Sequence, residues 1–183
     1  MKIACIGWGS LIWDPRKLPT LDPWFNDGPL LPIEFARHSK GNRITLVIVP
    51  NSTHIRTLWA LMAVDTLEDA KAELAIREGI STRFISQSIG WWSKTGQSQH
   101  PHAHTIGMWA EKIDLDAVVW TALKPKFRDK LNQIPVADEV ISFLQSLPLD
   151  EKRKAEEYVR MAPQQVNTAY RRKIEKELNW TPN

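Results

Sequence analysis

The sequence has little sulfur and no long apolar run. Among its 183 residues there is one cysteine, Cys5, so no internal disulfide can form. A single thiol in the middle of an apolar strand indicates a reducing compartment and an unreactive, buried side chain. No apolar run approaches the roughly twenty residues that span a bilayer, and the segment Gly7-Trp8-Gly9 interrupts the apolar start before it could form a signal peptide. These absences predict a cytosolic protein without a membrane segment.

The charge of the chain is low and evenly mixed. The formal net charge is +3, and opposite charges recur at helical neighbour spacing in residues 151–157 and 171–177. Such mixing is typical of solvated helix faces. It argues against a nucleic-acid-binding surface, which requires Lys and Arg clustered on one side. We therefore expect no nucleic-acid partner.

Three histidines, His100, His102 and His104, alternate along a polar stretch. If this stretch is extended, the three imidazoles point to one side and could converge on zinc or copper. A polar loop that leads into a strand explains the same residues, and three histidines this close cannot easily complete a catalytic site without an acidic ligand placed nearby. We expect no metal here.

The order of apolar and polar segments predicts one α+β domain over residues 1–183. At 43% hydrophobic residues, the chain can build a proper core. Because most strands come before the helices, we expect a mixed or antiparallel sheet with flanking helices and a helical C-terminal third from about residue 115. Strands are expected near residues 2–7, 31–38, 43–49, 56–65 and 103–112, a helix at 66–78, and a long irregular loop from Gly90 to His104. Of the nine tryptophans, we expect Trp59, Trp109 and Trp120 in the core and Trp8, Trp13, Trp91 and Trp92 around a pocket.

The chain begins with a buried strand that runs into two closely spaced glycines, Gly7 and Gly9. Glycines permit a sharp turn, and a turn of this kind can present backbone N–H groups to an anion or an oxyanion. A strand followed by Gly-x-Gly is also common at turns that bind nothing. The loop alone therefore leaves both interpretations open.

The predicted helix at 66–78 carries a glutamate on its apolar face. Asp65 and Glu68 resemble a capping box at its start, and Gly79 suits the left-handed turn at its end. At about 100° per residue, Glu78 continues the stripe of Leu67, Ala70 and Leu74. Burial and the helix C-terminus both disfavour a charged carboxylate, and such a group suits proton transfer. Alternatively, Glu78 points into water or pairs with Arg77 or Arg83.

Two segments resemble motifs of one known family. The order G-W-G-S-L-I-W-D-P, from Gly7 to Pro15, is similar to the G-Y-G-S-L-I-W-x-P signature of the gamma-glutamylcyclotransferase family, in its ChaC-like or AIG2-like branch. Ile76-Arg77-Glu78 is similar to the segment that carries the family's glutamate. The resemblance implies a small, curved or barrel-like mixed β-sheet with flanking helices.

The resemblance also implies a reaction. The α-amine of a gamma-glutamyl compound attacks its own γ-carbonyl, which releases 5-oxoproline and the leaving amine without a cofactor. It assigns proton transfer to Glu78 and substrate binding to a loop of five residues: Gly7, Trp8, Gly9, Ser10 and Leu11. The family's loop tyrosine is Trp8 here, so glutathione, a gamma-glutamyl amino acid and a gamma-glutamyl amine all remain possible substrates. The alternative is a non-catalytic member of the same fold that binds a small ligand or a protein. Apolar C-terminal positions such as Val140 and Leu144 could equally pack on the domain or on a second subunit.

Overall fold

The computed structural model describes residues 1–182 and has an α+β fold with mixed sheets, as the order of segments predicted. Within these residues, ten strands form two sheets: β1 Ile3–Gly7, β2 Leu30–Ser39, β3 Arg43–Ile48, β4 His54–Arg56, β5 Leu58–Leu61, β6 Ile89–Ser93, β7 Gly96–Gln97, β8 Ala117–Thr121, β9 Lys126–Phe127 and β10 Lys130–Leu131. The described residues contain six α-helices: α1 Leu67–Glu78, α2 Ile85–Ser88, α3 Ala103–Lys112, α4 Ala137–Ser146, α5 Leu149–Met161 and α6 Ala169–Leu178. A 3₁₀ turn at Thr82–Phe84 precedes α2.

The chain forms two compact units made of interleaved segments. Unit 1 comprises Met1–Gly7, Asp14–Leu30 and Arg56–Leu123. Unit 2 comprises Trp8–Trp13, Leu31–Ile55 and the chain from Lys124 onward. The single domain over residues 1–183 stays a prediction, because interleaved units can belong to one domain.

Unit 1 is built on a sheet with the strand order β5-β1-β8-β6-β7. Strand β1 pairs antiparallel with β5 and parallel with β8, so it lies inside the sheet. Its residues from Ile3 to Ile6 are 0% exposed, which fits a strand covered on both faces. Helix α1 packs on β1 and β8, and α3 packs on β6 and β8. The outer edge of β5 is covered by the segment around Thr20 and Phe25, which forms bridges to Met62 and Trp59.

Unit 2 is built on a second sheet with the strand order β10-β9-β2-β3, and β4 pairs with β2. Helix α5 packs on β3, and α4 packs on α5 and α6. The apolar positions of α4, Val140 and Leu144, are 0% exposed inside this unit. These residues therefore complete the core of their own chain.

Two buried charged residues fix the C-terminal helices of unit 2. The N-cap of α6 is Thr168, whose hydroxyl accepts the Arg171 N–H and donates to the Glu34 carboxylate on β2. Arg171 is 1% exposed. Its guanidinium donates to Glu175 on its own helix and to four backbone carbonyls after or at the end of α5, those of Val159, Ala162, Pro163 and Val166. One cation thus supplies a partner to the Val159 carbonyl in the last turn of α5 and to three carbonyls that follow the helix.

The secondary structure departs from the sequence prediction in three places. Residues 103–112 form helix α3 rather than a strand, because Ile106 and Ala110 lie one turn apart and both are 0% exposed. The segment at 117–121 is strand β8, so the helical region begins at Ala137 rather than near 115. The expected loop after Gly90 contains β6 and β7.

Between residues 1 and 182, none of the helices combines the length and apolar character needed to cross a membrane.

Candidate functional site

Helix α1 of unit 1 ends where the sequence predicted but begins one residue later. Its N-cap is Thr66, not Asp65: the Thr66 hydroxyl accepts the Asp69 N–H at 3.1 Å. At the other end, Gly79 has φ +66°, and its N–H together with that of Ile80 bonds to carbonyls of the last turn. A helix closed in this way does not fray, so the position of Glu78 is fixed by the backbone.

Glu78 lies largely buried at the end of α1, in an ion pair with its neighbour. Its side chain is 18% exposed, and the Arg77 side chain is 5% exposed. The Arg77 Nη1 donates to Glu78 Oε1 at 2.6 Å. The Arg77 Nη2 donates to the carbonyl of Asp14 at 2.6 Å. Glu78 is therefore held on the apolar stripe that the sequence predicted, with the partner that the alternative interpretation named.

The second oxygen of Glu78, Oε2, accepts no hydrogen bond from residues 1–182. Oε2 is not a fully buried polar atom without a hydrogen-bond partner. The carboxylate is thus oriented through one oxygen, while the other has no hydrogen-bond partner among these residues.

Cys5 of strand β1 lies close enough to Glu78 for the carboxylate charge to affect the pKa of its thiol. The pKa of the Cys5 thiol is raised to about 12, first because the thiol is buried and second because of the negative charge of Glu78, which Arg77 partly offsets. Cys5 is thus the inert thiol that the sequence predicted. Two residues further along β1, Gly7 pairs with Leu58 of β5. Gly7 and Glu78 both belong to unit 1.

Arg77 also anchors the chain where it re-enters unit 1. Residues Trp8–Trp13 leave this unit after Gly7, and the chain returns at Asp14. The Arg77 bond to the Asp14 carbonyl holds that return point. Arg16, which has φ +56°, adds a bond from its Nη1 to the Arg77 carbonyl at 3.3 Å. Sequence reasoning treated Arg77 only as a partner of Glu78 and did not predict that it is buried.

The other predicted loop residues lie in unit 2. Trp8 is 4% exposed, and its Nε1 donates to the Leu46 carbonyl on β3 at 3.2 Å. The Leu46 N–H donates to the hydroxyl of Tyr158 on α5. Since β3 is the edge strand of its sheet, Trp8 and Tyr158 supply the partners that a further strand would otherwise supply. The indole of Trp8 is therefore part of the packing of unit 2.

Gly9 is needed for close packing rather than for a left-handed turn. Within residues 1–182 the glycines with positive φ are Gly41 and Gly79, so Gly7 and Gly9 adopt conformations open to other residues. A Cβ at Gly9 would lie 2.7 Å from the Tyr158 hydroxyl. The Gly9 carbonyl accepts the Ile12 N–H, which closes a turn.

The two remaining loop residues differ in exposure. Leu11 is 5% exposed and packs in the core. Ser10 is partly exposed. Of the five loop residues, Ser10 is therefore the one whose side chain solvent reaches most easily.

The three histidines do not alternate along an extended chain. His102 has φ +69° and caps α3, which begins at Ala103 and contains His104. The His100 Nε2 lies 3.2 Å from the Ser86 carbonyl. Among residues 1–182 no three His, Cys, Asp or Glu side chains are grouped so that they could hold a metal ion.

The tryptophans are distributed differently from the prediction. Trp120 is 0% exposed, as expected. Trp59 and Trp109 are only partly buried: Trp59 stacks on Phe25, and Trp109 meets Trp59 edge-on. Both indoles donate to Asp27, one to its carboxylate and one to its carbonyl. The prediction that they belong to the core was wrong, because hydrogen-bonded indoles can remain at the surface.

A scan against protein-family models, a search of curated proteins and a search of solved structures each found no match for this chain. The likeness to the gamma-glutamylcyclotransferase family therefore depends on two short motifs, Gly7 to Pro15 and Ile76 to Glu78.

Proposed function

We propose that this chain is a gamma-glutamylcyclotransferase-like enzyme that releases 5-oxoproline from a gamma-glutamyl compound, with Glu78 as its proton carrier. The curved or barrel-like sheet that the resemblance implies belongs to the same proposal. The same proposal includes the binding of the gamma-glutamyl moiety by backbone N–H groups from Gly7 to Leu11. The cytosolic location and the independence from metals, cofactors and nucleic acid stay predictions.

One observation carries the proposal. Glu78 is mostly buried, is oriented by Arg77 through Oε1, and has an Oε2 that no described residue engages. A surface glutamate lacks such orientation, and a carboxylate with an unengaged oxygen can accept a further bond from a ligand. A catalytic acid–base group needs a fixed position and a free oxygen at once.

The proposed chemistry needs one proton to move. The α-nitrogen of the substrate forms a bond to the γ-carbonyl carbon, and the bond from that carbon to the leaving nitrogen breaks. The attacking nitrogen loses a proton and the leaving nitrogen gains one, so a carboxylate that first accepts and then donates completes the cycle. Most of the remaining barrier is lowered by holding the substrate folded back on itself. No electron transfer is involved.

The Arg77–Glu78 ion pair also favours a second candidate function. A glutamate that is engaged by a buried arginine can serve to hold the end of α1 and the return point at Asp14. In that case the chain is a non-catalytic member of the same fold that binds a small ligand. The two candidates differ in whether Glu78 turns substrate over.

The experiment measures 5-oxoproline release from glutathione, a gamma-glutamyl amino acid and a gamma-glutamyl amine. The wild type, Glu78→Gln and the exposed control Glu68→Gln on the same helix are assayed together. We expect release by the wild type and by the control, and a loss of at least about a hundredfold for Glu78→Gln. Because Glu78→Gln leaves the buried Arg77 without its anion, its fold is checked by circular dichroism. Glu78→Asp, which keeps the charge, should retain reduced turnover. No release from any compound would favour the binding protein.

A further inference from the structure

A groove of about 250 Å³ lies between the segment after Asp14 and the last turns of α1, and it plays no part in the proposed reaction. It is lined by Arg16, Lys17, Leu18, Glu73, Ile76 and Arg77. Glu73, Ile76 and Arg77 are three and four residues apart and therefore share one flank of the helix. Glu78 follows Leu74 on the adjacent stripe. By helical position Glu78 therefore lies on a different face of α1 from Glu73 and Ile76, although Arg77, which lines the groove, contacts the Glu78 carboxylate.

Two opposite charges face this groove without a partner. Neither Lys17 nor Glu73 forms an ion pair or a hydrogen bond through its side chain within residues 1–182, and they do not pair with each other. The other charged residues of the lining are engaged. Arg16 bonds to the Asp14 carboxylate and the Arg77 carbonyl, and Arg77 bonds to Glu78. The groove therefore offers one free cation and one free anion.

The rest of the groove is apolar. Leu18 is 6% exposed and forms part of the floor. Ile76 is 70% exposed, although it lies on a well-formed helix beside buried residues. Covering this side chain with an apolar ligand group removes apolar surface from water, which is favourable. A ligand that covers Ile76 while pairing with Lys17 and Glu73 would use every free group of the lining.

We propose that this groove binds a small aliphatic α-amino acid. The carboxylate of the ligand pairs with Lys17, its ammonium group pairs with Glu73, and its branched side chain covers Leu18 and Ile76. The volume is below the roughly 300–1,000 Å³ that is usual for drug-sized ligands, which fits a molecule of this size. This site does not depend on the proposed cyclotransferase reaction.

Other small molecules fit the lining less well. A fatty acid pairs with Lys17 but leaves Glu73 against its hydrocarbon chain. An alkylamine pairs with Glu73 and leaves Lys17 unpaired. A dicarboxylate places a second negative charge near Glu73, where like charges repel. The zwitterion is the class that matches both charges.

The test is a titration of the full chain with L-leucine, followed by backbone ¹H–¹⁵N chemical shifts. We expect saturable shifts at residues 16–18 and 73–77, with a dissociation constant on the order of 1 mM, typical of a small ligand held by two exposed ion pairs. Lys17→Gln and Glu73→Gln should each weaken binding about three- to fivefold. The exposed control Lys112→Gln on α3 should bind as the wild type does.

Two analogues test the role of each charge. 4-Methylpentanoate lacks the ammonium group and 3-methylbutylamine lacks the carboxylate, so both should bind more weakly than leucine. The proposal is wrong if leucine causes no saturable shifts in these segments. It is also wrong if both analogues bind as tightly as leucine, or if neither Lys17→Gln nor Glu73→Gln changes the affinity. Because leucine is not a gamma-glutamyl compound, the result is independent of whether the chain releases 5-oxoproline.

Discussion

The hydroxyl of Tyr158 occupies the space where a side chain at residue 9 would begin. A Cβ built on Gly9 lies 2.7 Å from that oxygen. Tyr158 cannot move away easily, because it is 6% exposed, accepts the Leu46 N–H and meets the Trp13 ring edge-on at 5.4 Å. The glycine loop is therefore shaped by a residue of helix α5, nearly 150 positions further along the chain.

Gly9→Ala should destabilise the protein by about 1–3 kcal/mol, because the new methyl group overlaps a fixed hydroxyl. The cost should fall in a Tyr158→Phe background, which removes the oxygen. Urea unfolding of the two single variants and the double variant gives the coupling energy. Equal costs in both backgrounds would show that Tyr158 does not restrict residue 9.

Gly90 on β6 also lies where a side chain would overlap an aromatic ring, in this case the indole of Trp120 on β8. A Cβ at Gly90 would lie 2.2 Å from Cε2 and 2.3 Å from Nε1 of the buried indole. We expect Gly90→Ala to cost about 3 kcal/mol in the free energy of unfolding, at the upper end for overpacking. Gly96→Ala is the matched control, because its nearest atom is 3.7 Å away on Trp91. The control should change stability by less than about 0.5 kcal/mol, and a similar loss in both variants would contradict the account.

Arg171→Lys should destabilise the protein by about 3–5 kcal/mol, although the charge is kept. An ammonium group cannot reproduce the planar fork that serves four backbone carbonyls, three of them in buried bonds. The neighbouring Arg172, exposed and bonded to the Asn167 carbonyl, provides the control Arg172→Lys. Thermal and urea unfolding of the two variants should differ clearly. A mild effect at residue 171 would mean that the end of α5 is held by other contacts.

Glu34 makes stability depend on pH in a direction unusual for a carboxylate. Burial raises the pKa of Glu34, and the bonds from Thr168, Phe35 and Tyr170 offset this only in part. A pKa raised in the folded state means that the contribution of Glu34 to stability is complete below its unfolded pKa and is lost as the pH rises through its folded pKa.

Glu34→Gln removes this titration. The free energy of unfolding of Glu34→Gln, relative to wild type, should therefore increase as the pH rises from about 4 to about 7. Urea unfolding at several pH values measures the difference, with exposed Glu177→Gln on α6 as the control. A difference that stays constant or falls with pH would contradict the raised pKa.

The sequence predicted those features that depend on residues close together in the chain. Strand β1, the helix ending at Gly79 and the buried stripe through Ala70 and Leu74 all follow from local periodicity and a glycine at the right position. The prediction of a strand at residues 103–112 was wrong, because the periodicity of a short apolar run is compatible with either a helix or a strand. Their helical state is settled by packing on β6 and β8.

The environment of the candidate site was less predictable, because it is made by distant residues. No local pattern indicates that Arg77 reaches the carbonyl of Asp14, or that Tyr158 meets Gly9. Trp8 looked like a pocket residue by its place in the motif, yet its indole bonds to Leu46 inside unit 2. The two motifs indicate which residues to consider as site residues, but they do not indicate which distant side chains and carbonyls those residues contact.

The central claim is that Glu78 carries a proton during turnover of a gamma-glutamyl compound. Single-substrate assays of 5-oxoproline release by wild type, Glu78→Gln and Glu68→Gln test it most directly, with unfolding curves to show that each variant is folded. We predict release by wild type and Glu68→Gln, and a loss of at least about a hundredfold for folded Glu78→Gln, the usual effect of removing an acid–base group. Undiminished release by folded Glu78→Gln would contradict the account.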